Sequence, residues 1–473
     1  MTIAQSLLKN TVARTATEII NRLGAALFWV FVASTLGVSV FGLLAFGLSL
    51  YSSFHTASTL GLGAVVIRDV ARDRIKAAPY FGQTLAVGFV LSLIGAALME
   101  GLGLLLSDTV DGKIITLILA AALIPSSAFY WSKSLLSALE QMPYIALARL
   151  GENVFKVAVG LGLLVWNGDV LTMAAVIFFS KVVSAVLAFV FARSFVKPVW
   201  RLDKSLLRYF IRMTPAFSTT AITNSLFWTA PVVILSTFAG AYQAGLFGAA
   251  YKLVDVTISF ALAYGQAMFP VVSRTLSQKR DTVASLLSGS IKYSVMLTLA
   301  ITVGMTLLAP QLLLLVYGDS GLAATPVLRL LVWMILPFSM VPVLAFSLVS
   351  HSWQKLDVLA NVVAALTVIA LGLFLTPLYG ALGAALSVLV GTILFWIVEW
   401  AGVQTKICRL PLWPHLWKPA LAALCMAGVL ILLQHLNLFY NITLAGVTYL
   451  LSLILSKALS KNELLMIKQM KSA

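Results

Sequence analysis

Apolar runs follow one another along almost the whole chain, separated by short turns in which Lys, Arg, Asp and Gly collect. A helix needs about 20 mostly apolar residues to cross the hydrocarbon core of a bilayer. Runs of that kind lie at roughly 10–35, 39–67, 79–107, 113–138, 143–166, 169–193, 205–235, 241–271, 284–316, 325–350, 354–376, 380–403, 415–435 and 439–459. The pattern predicts an all-α, polytopic membrane protein with about fourteen transmembrane helices. Transmembrane strands would show ten-residue segments of alternating apolar and polar positions, and none occurs.

The turns set the expected orientation, because Lys and Arg are retained on the cytoplasmic side. Arg68, Arg72, Arg74 and Lys76 follow the second run, and Arg193, Lys197, Arg201, Lys204 and Arg208 the sixth. Arg274, Lys279 and Arg280 follow the eighth, and Lys406, Arg409 and Lys418 the twelfth. Lys457, Lys461, Lys468 and Lys471 form the tail. The alternate turns hold Asp108, Asp111, Asp169 and Asp319, with Lys113 and, just inside the tenth run, Arg329. An even number of spans with both termini in the cytoplasm fits this alternation. Twelve spans are the alternative, with the last two segments re-entrant. Met1 to Asn10 lead straight into the first run with no cleavage signal, so the start reads as a retained cytoplasmic tail.

The chain also repeats itself. Leu7-Leu8-Lys9, Leu27-Phe28-Trp29 and Ser34-Thr35 in the first run correspond to Leu206-Leu207-Arg208, Leu226-Phe227-Trp228 and Ser236-Thr237 in the seventh. Gly42-Leu43 and Gly245-Leu246 open the runs that follow. A six-span repeat preserves orientation, so the halves are expected to be parallel copies related by an axis along the membrane normal. The expected domains are a six-helix lobe at 1–197, a second at 198–405, and a helix pair with its tail at 406–473.

Composition agrees with lipid as the solvent. The chain has 473 residues, 61% hydrophobic and 10% charged, against roughly 25% charged for a soluble domain. Mean hydropathy is +1.01. The net charge of +16 would point to nucleic acid in a soluble protein. Here the basic residues sit at helix ends, so topology and anionic headgroups explain it and no nucleic-acid partner is expected. Cys408 and Cys425 have no metal-type spacing, and His55, His351, His415 and His435 are scattered. There is no P-loop, and the outer turns are too short for a catalytic domain. Neither an enzyme, a metal nor a cofactor is expected.

Ionisable side chains at membrane depth are costly and mark functional candidates. Arg14, Glu18 and Arg22 share a helix face in the first run, as do Arg149, Glu152 and Lys156 in the fifth. Lys181 lies mid-span in the sixth, Arg212 two turns into the seventh, and Lys252 with Asp255 in the eighth. Arg22, Lys156, Lys181, Arg212, Lys252 and Asn224 are the binding candidates. Snorkelling to the headgroups is the plainer account of Arg14, Lys133 and Lys292. Glu18, Glu152 and Asp255 each have a basic neighbour at helical spacing, which makes charge compensation the plain reading and ion coupling the sharper one. Asn21, His55, Asn153, Gln266, Trp131, Trp228 and Tyr264 add polar and aromatic groups. Pro125, Pro215, Pro231, Pro337 and Pro342 predict kinks.

Three apolar motifs carry a resemblance. Leu36-Gly37-Val38-Ser39-Val40-Phe41-Gly42 enters the second run, Leu60-Gly61-Leu62-Gly63 through Arg68-Asp69-Val70-Ala71-Arg72 closes it, and Tyr379-Gly380-Ala381-Leu382-Gly383-Ala384-Ala385 opens the twelfth. With length, span count and duplication, the chain resembles the polysaccharide exporters that include Wzx-type O-antigen flippases. Their superfamily also holds multidrug and toxin extruders and the flippase for the peptidoglycan lipid precursor. The resemblance implies two six-helix lobes in a V around a central cavity. It implies transport of an undecaprenyl-pyrophosphate-linked oligosaccharide across the bacterial inner membrane, beside a polymerase and glycosyltransferases of the same pathway. A diphosphate cannot cross hydrocarbon unpaired, and the buried excess of Lys and Arg would meet it. Two alternatives stay open: a drug extruder coupled to protons or sodium, and a non-transporting partner in envelope assembly.

Overall fold

The computed structural model describes residues 28, 29, 31, 32, 35–166, 168–274, 280–410, 413–433, 435–456 and 458. Arg14, Glu18, Asn21 and Arg22 lie outside them. The described chain is helical throughout, with no strand among those residues. In chain order the helices are α1 (Val38–Thr59), α2 (Gly63–Arg72), α3 (Ala77–Leu106), α4 (Val110–Ala121), α5 (Leu123–Ala138), α6 (Met142–Val165), α7 (Val170–Phe195) and α8 (Lys204–Arg274). They continue as α9 (Arg280–Leu307), α10 (Ala309–Tyr317), α11 (Thr325–Leu331), α12 (Ile335–Ser350), α13 (Gln354–Tyr379), α14 (Ala381–Lys406), α15 (Trp413–Leu432) and α16 (Leu438–Leu455).

Ten described helical segments are long and apolar enough to cross a membrane. One of them, Ser218–Gly265 within α8, has 48 residues and so a length of roughly 72 Å, enough for two crossings. Its interruption is at Gly240, where φ is 82°. α6 has 24 residues but carries Arg149, Glu152 and Lys156, and Leu416–Leu432 in α15 is a shorter apolar helix. These segments account for thirteen of the fourteen expected, and the first run lies mostly outside the described residues. In lipid every backbone polar group must be satisfied inside the segment, which is why the described residues are mostly helix.

The helices gather into two compact units. One comprises residues 1–249 with 369–384, and the other 250–368 with 385–473. In the first, α1 packs on α3 and α4, α5 on α2, α3 and α7, and α6 on α7. Its core includes Val65, Val66, Phe81, Trp131, Leu135 and Phe210. In the second, α9 packs on α12 and α15, and α15 on α16. Val283, Leu287, Leu344, Leu348 and Val403 form one cluster there, and Met296, Ala422, Met426 and Tyr449 another. Large apolar side chains such as Phe89, Leu98, Leu105, Val190, Phe374, Leu424 and Leu455 are exposed, whereas Ser92, Thr116, Ser132, Ser180 and Ser184 are buried. Small polar residues inside and large apolar ones outside is the distribution expected of helices packed in lipid.

The family-like motifs turn out to be places of close approach. A Cβ on Gly63 would strike the Tyr130 hydroxyl, to which the Gly63 amide donates at 3.1 Å. Gly380 has φ +55° and sits against Gln243, whose Oε1 accepts from the Ala381 amide at 3.0 Å. Gly42 and Gly245 meet in a reciprocal contact: Gly42 lies on the Ala241 carbonyl, and Gly245 on the Val38 carbonyl. Both glycines are repeat equivalents, and so are Val38 and Ala241. Gly37 and Gly240, one residue before them, share φ 82° with ψ of 162° and 172°. The duplication read from sequence thus recurs in backbone conformation and in contact.

Candidate functional site

In the first unit, four helices bring ionisable and aromatic groups together. α6 contributes Glu152 and α7 contributes Lys181, whose Nζ donates to Glu152 Oε1 at 2.6 Å. Their side chains are 13% and 26% exposed, so solvent screens this pair only partly. Ser184, one turn beyond Lys181, donates to the Lys181 carbonyl at 3.1 Å and lies close to Glu152. Helical spacing on α6 predicts compensation of Glu152 by Arg149 or Lys156 on its own helix. The hydrogen-bonded cation comes instead from α7, because α6 and α7 pack along their length and a four-carbon Lys stem spans that gap.

α1 and α5 supply the aromatic side. Lys181 Nζ stands 6.0 Å from the Tyr51 ring centroid. The Tyr51 hydroxyl lies 2.5 Å from Ser126 Oγ. His55, one turn along α1, stacks on Tyr51 at 5.9 Å and meets Tyr130 edge-on at 6.1 Å. Lys133 lies over the Tyr130 ring at 5.5 Å. His55 lies within electrostatic reach of Lys181, Lys133 and Glu152. Glu152 also interacts with Lys156, and Arg149 with both Lys133 and Lys181. Lys156 Nζ in turn lies 5.7 Å from the Phe28 ring. Lys156 and Lys181 thus act on one carboxylate, and Arg149 and Lys133 extend the positive charge beside them.

A polar seam runs beside this cluster, where α1 meets the first arm of α8. Ser53 Oγ and Thr229 Oγ1 are 2.6 Å apart, and Ser225 Oγ donates to the Ser52 carbonyl at 3.5 Å. Asn224 adjoins this seam, with its side chain exposed. Arg212 is exposed farther back on the same arm. Lys252 and Asp255 belong to the second unit, where Asp255 acts on both Lys252 and Tyr251. Of the residues singled out in sequence, the structure therefore gathers Glu152, Lys156 and Lys181, leaves Arg212 apart, and puts Lys252 and Asp255 in the other unit. Tyr51, Ser126 and Tyr130 had no sequence signal beyond the one-turn spacing of Tyr51 and His55.

At the basic end of the same unit, Asp69 is clasped from three helices. Arg68 donates to it through Nε at 2.8 Å, Tyr209 through its hydroxyl at 2.8 Å, and Tyr80 at 3.2 Å. Arg68 Nη2 also donates to Tyr209 at 2.7 Å. This network ties α2 and α3 to the start of α8 and explains why Arg68-Asp69 stands in the motif. No group of three or more metal-ligating side chains occurs among the described residues.

Comparison with known proteins adds the following. Residues 7–276 match the family described as polysaccharide biosynthesis protein. No curated protein matches the chain. Among solved structures, the chain is similar to the lipid II flippase MurJ in an inward closed conformation, with 15% identity and a TM-score of 0.79 over 94% of this chain and 99% of that one. It is similar to an inward-facing multidrug resistance MATE family transporter of the MOP superfamily, with 16% identity and a TM-score of 0.67 over 82% and 94%. It also resembles a MOP superfamily transporter from Pyrococcus furiosus described as having a binding pocket of reverse polarity, with 15% identity and a TM-score of 0.56 over 83% and 92%. These likenesses establish a flippase-like transporter fold in a multi-pass membrane protein.

Proposed function

The chain belongs to the polysaccharide biosynthesis protein family, and from that premise we propose that it translocates an undecaprenyl-pyrophosphate-linked oligosaccharide across the bacterial inner membrane by alternating access. The observation that carries the reading is the excess of positive charge about Glu152. Lys133, Arg149, Lys156 and Lys181 offer donors to a diphosphate, which needs charge-assisted partners once it leaves water. Tyr51, His55 and Tyr130 present ring faces and polar edges suited to sugars. Their rings are already ordered by mutual stacking, so holding a sugar would cost little further side-chain entropy. The turn charges support a reading with both termini in the cytoplasm. Residues 1–197 and 198–405 would form the two lobes, with 406–473 as the appended pair. Arg22, Arg212, Lys252 and Asn224 remain proposed contributors to binding, and a polymerase and glycosyltransferases remain the proposed pathway partners.

The second unit offers a place for the lipid. α9, α15 and α16 line an open groove of about 540 Å³ whose walls include Met296, Ile301, Met426, Ile442, Tyr449 and Leu450, nearly all apolar. That volume is typical of a site for a small ligand, and a polyprenyl segment would be matched to it chemically. Proton or sodium is the proposed coupling ion, with Glu18, Glu152 and Asp255 as its carboxylates. A diphosphate that draws Lys181 away would leave Glu152 free to accept a proton. A cation extruder would require uncompensated carboxylates where this unit holds surplus base.

The test is complementation of a flippase-null strain. Lys156→Ala, and Lys181→Ala combined with Glu152→Gln to keep the local charge balanced, are expected to cut surface polysaccharide at least tenfold at equal expression. Undiminished polymer from both variants would defeat the cationic-site reading.

A further inference from the structure

Two carboxyl groups meet inside the second unit. Glu399 lies on α14 with no exposed surface. Neither of its oxygens has a hydrogen-bond donor in the structure, and the nearby indole Nε1 of Trp396 is unpartnered as well. Its side chain instead makes a hydrogen-bonding contact with Asp357 on α13. Two ionised carboxylates have only acceptors to offer each other. A contact of this kind requires a proton between them, and the alternative, two bare charges in an apolar enclosure, is heavily penalised.

Among the described residues, the groups that act on that proton's surroundings are few. Asp357 is the charged group that acts on Glu399, and Asp357 otherwise interacts with Asn361. The titratable side chains on the neighbouring elements are engaged elsewhere. Tyr264 on α8 donates to the Ser290 carbonyl. Lys292 on α9 lies over Tyr293, Lys406 at the end of α14 over Trp353, and Lys418 on α15 over Trp417. His351 after α12 bonds the Ser347 carbonyl through Nδ1. Around Glu399 the packing is apolar: Gly402 lies against Leu348 of α12 and Leu356 of α13.

The two acids are not equivalent. Asp357 stands in the first turn of α13, where the helix dipole favours negative charge. Asn361 Nδ2 donates to its Oδ1 at 3.1 Å. Glu399 has neither aid. We propose that Asp357 and Glu399 form a proton-binding site in which Glu399 holds the proton and donates it to an ionised Asp357. Loading the site forms one O–H bond on Glu399 at the expense of a hydronium ion, releases water, and takes the pair from two negative charges to one. Asp357 is two residues from Lys355, and Glu399 is seven from Lys406, roughly 10 Å along the helix. Protons would exchange at the basic end of the α13–α14 pair. Proton binding here does not depend on the identity of the transported lipid.

Infrared difference spectroscopy on the purified full-length protein at neutral pH tests this without any transport assay. The wild type should show the carbonyl stretch of a protonated carboxylic acid that is missing from Glu399→Gln. In Asp357→Asn the same band should persist but move in frequency, because its acceptor has changed from carboxylate to amide. Glu399→Gln is chosen because the amide keeps the shape and places an N–H where the proton was, so its thermal midpoint should stay within a few degrees of wild type. A Glu399→Gln spectrum identical to wild type in this region overturns the proposal. So does a band that Asp357→Asn leaves unmoved.

Discussion

The interhelical pair sets the energetics of the candidate site at the level of single residues. A partly exposed ion pair falls between the small value of a surface bridge and the large cost of breaking a buried one. Lys181→Ala should therefore destabilise the protein by about 2 kcal/mol, and adding Glu152→Gln should recover most of that. Thermal unfolding in detergent through a double-mutant cycle reads the coupling directly. Outside the membrane, Asp169 caps α7, its carboxylate accepting from the Thr172 amide at 2.8 Å and the Thr172 hydroxyl at 2.7 Å. Those bonds hold its carboxyl below the usual carboxylate range. The stabilisation is complete above the unfolded-state pKa and is lost as pH falls through the lower folded value. Asp169→Ala should cost about 1 kcal/mol at neutral pH and show a weaker loss of stability between neutral and acid pH than wild type. The sequence identified Glu152 and Lys181 as costly charges and Lys156 as a same-helix neighbour that does act on Glu152, but periodicity along one helix cannot say which helices are neighbours, and so the hydrogen-bonded partner on α7 was not legible. Glu399 was hidden for another reason. It stands in the apolar stretch Phe395–Trp400, where one carboxylate does not interrupt a span.

Helices here are positioned by glycine as much as by bulk. At Gly42 and Gly245 one backbone rests on another's carbonyl, so any side chain must push the start of α1 and the second arm of α8 apart. Overpacking of a tight contact costs typically 1–3 kcal/mol. Gly245→Val is expected at the upper end of that range, with a lowered thermal midpoint, whereas the same change at Gly101, where a Cβ would meet nothing within 4 Å, should be nearly silent. The sequence displayed these elements clearly, because twenty-residue apolar runs and charged turns are strong signals. It did not display that the motif glycines are contact points, since a glycine needed for space and one needed for a turn look alike in a string of letters. The acidic turns carry an orientation signal in the sequence, yet Asp169 also caps α7.

For the molecule as a whole, orientation is the property with the widest reach. The basic turns at Arg68–Lys76 and Lys197–Lys204 should be shielded from a membrane-impermeant thiol reagent applied to intact cells, and the turn at Asp108–Asp111 should be open to it. Single cysteines placed there in a chain lacking Cys408 and Cys425 make the measurement, and labelling of the basic turns from outside would reverse the topology. The reciprocal contact at Gly42 and Gly245 reaches further back in time. Each helix start carries both halves of the contact: a glycine that receives, and, four residues earlier, the carbonyl that is received. A chain ending after its sixth span would therefore have found its own complement on a second copy. The contact has the form that two identical six-span chains would make about a shared axis.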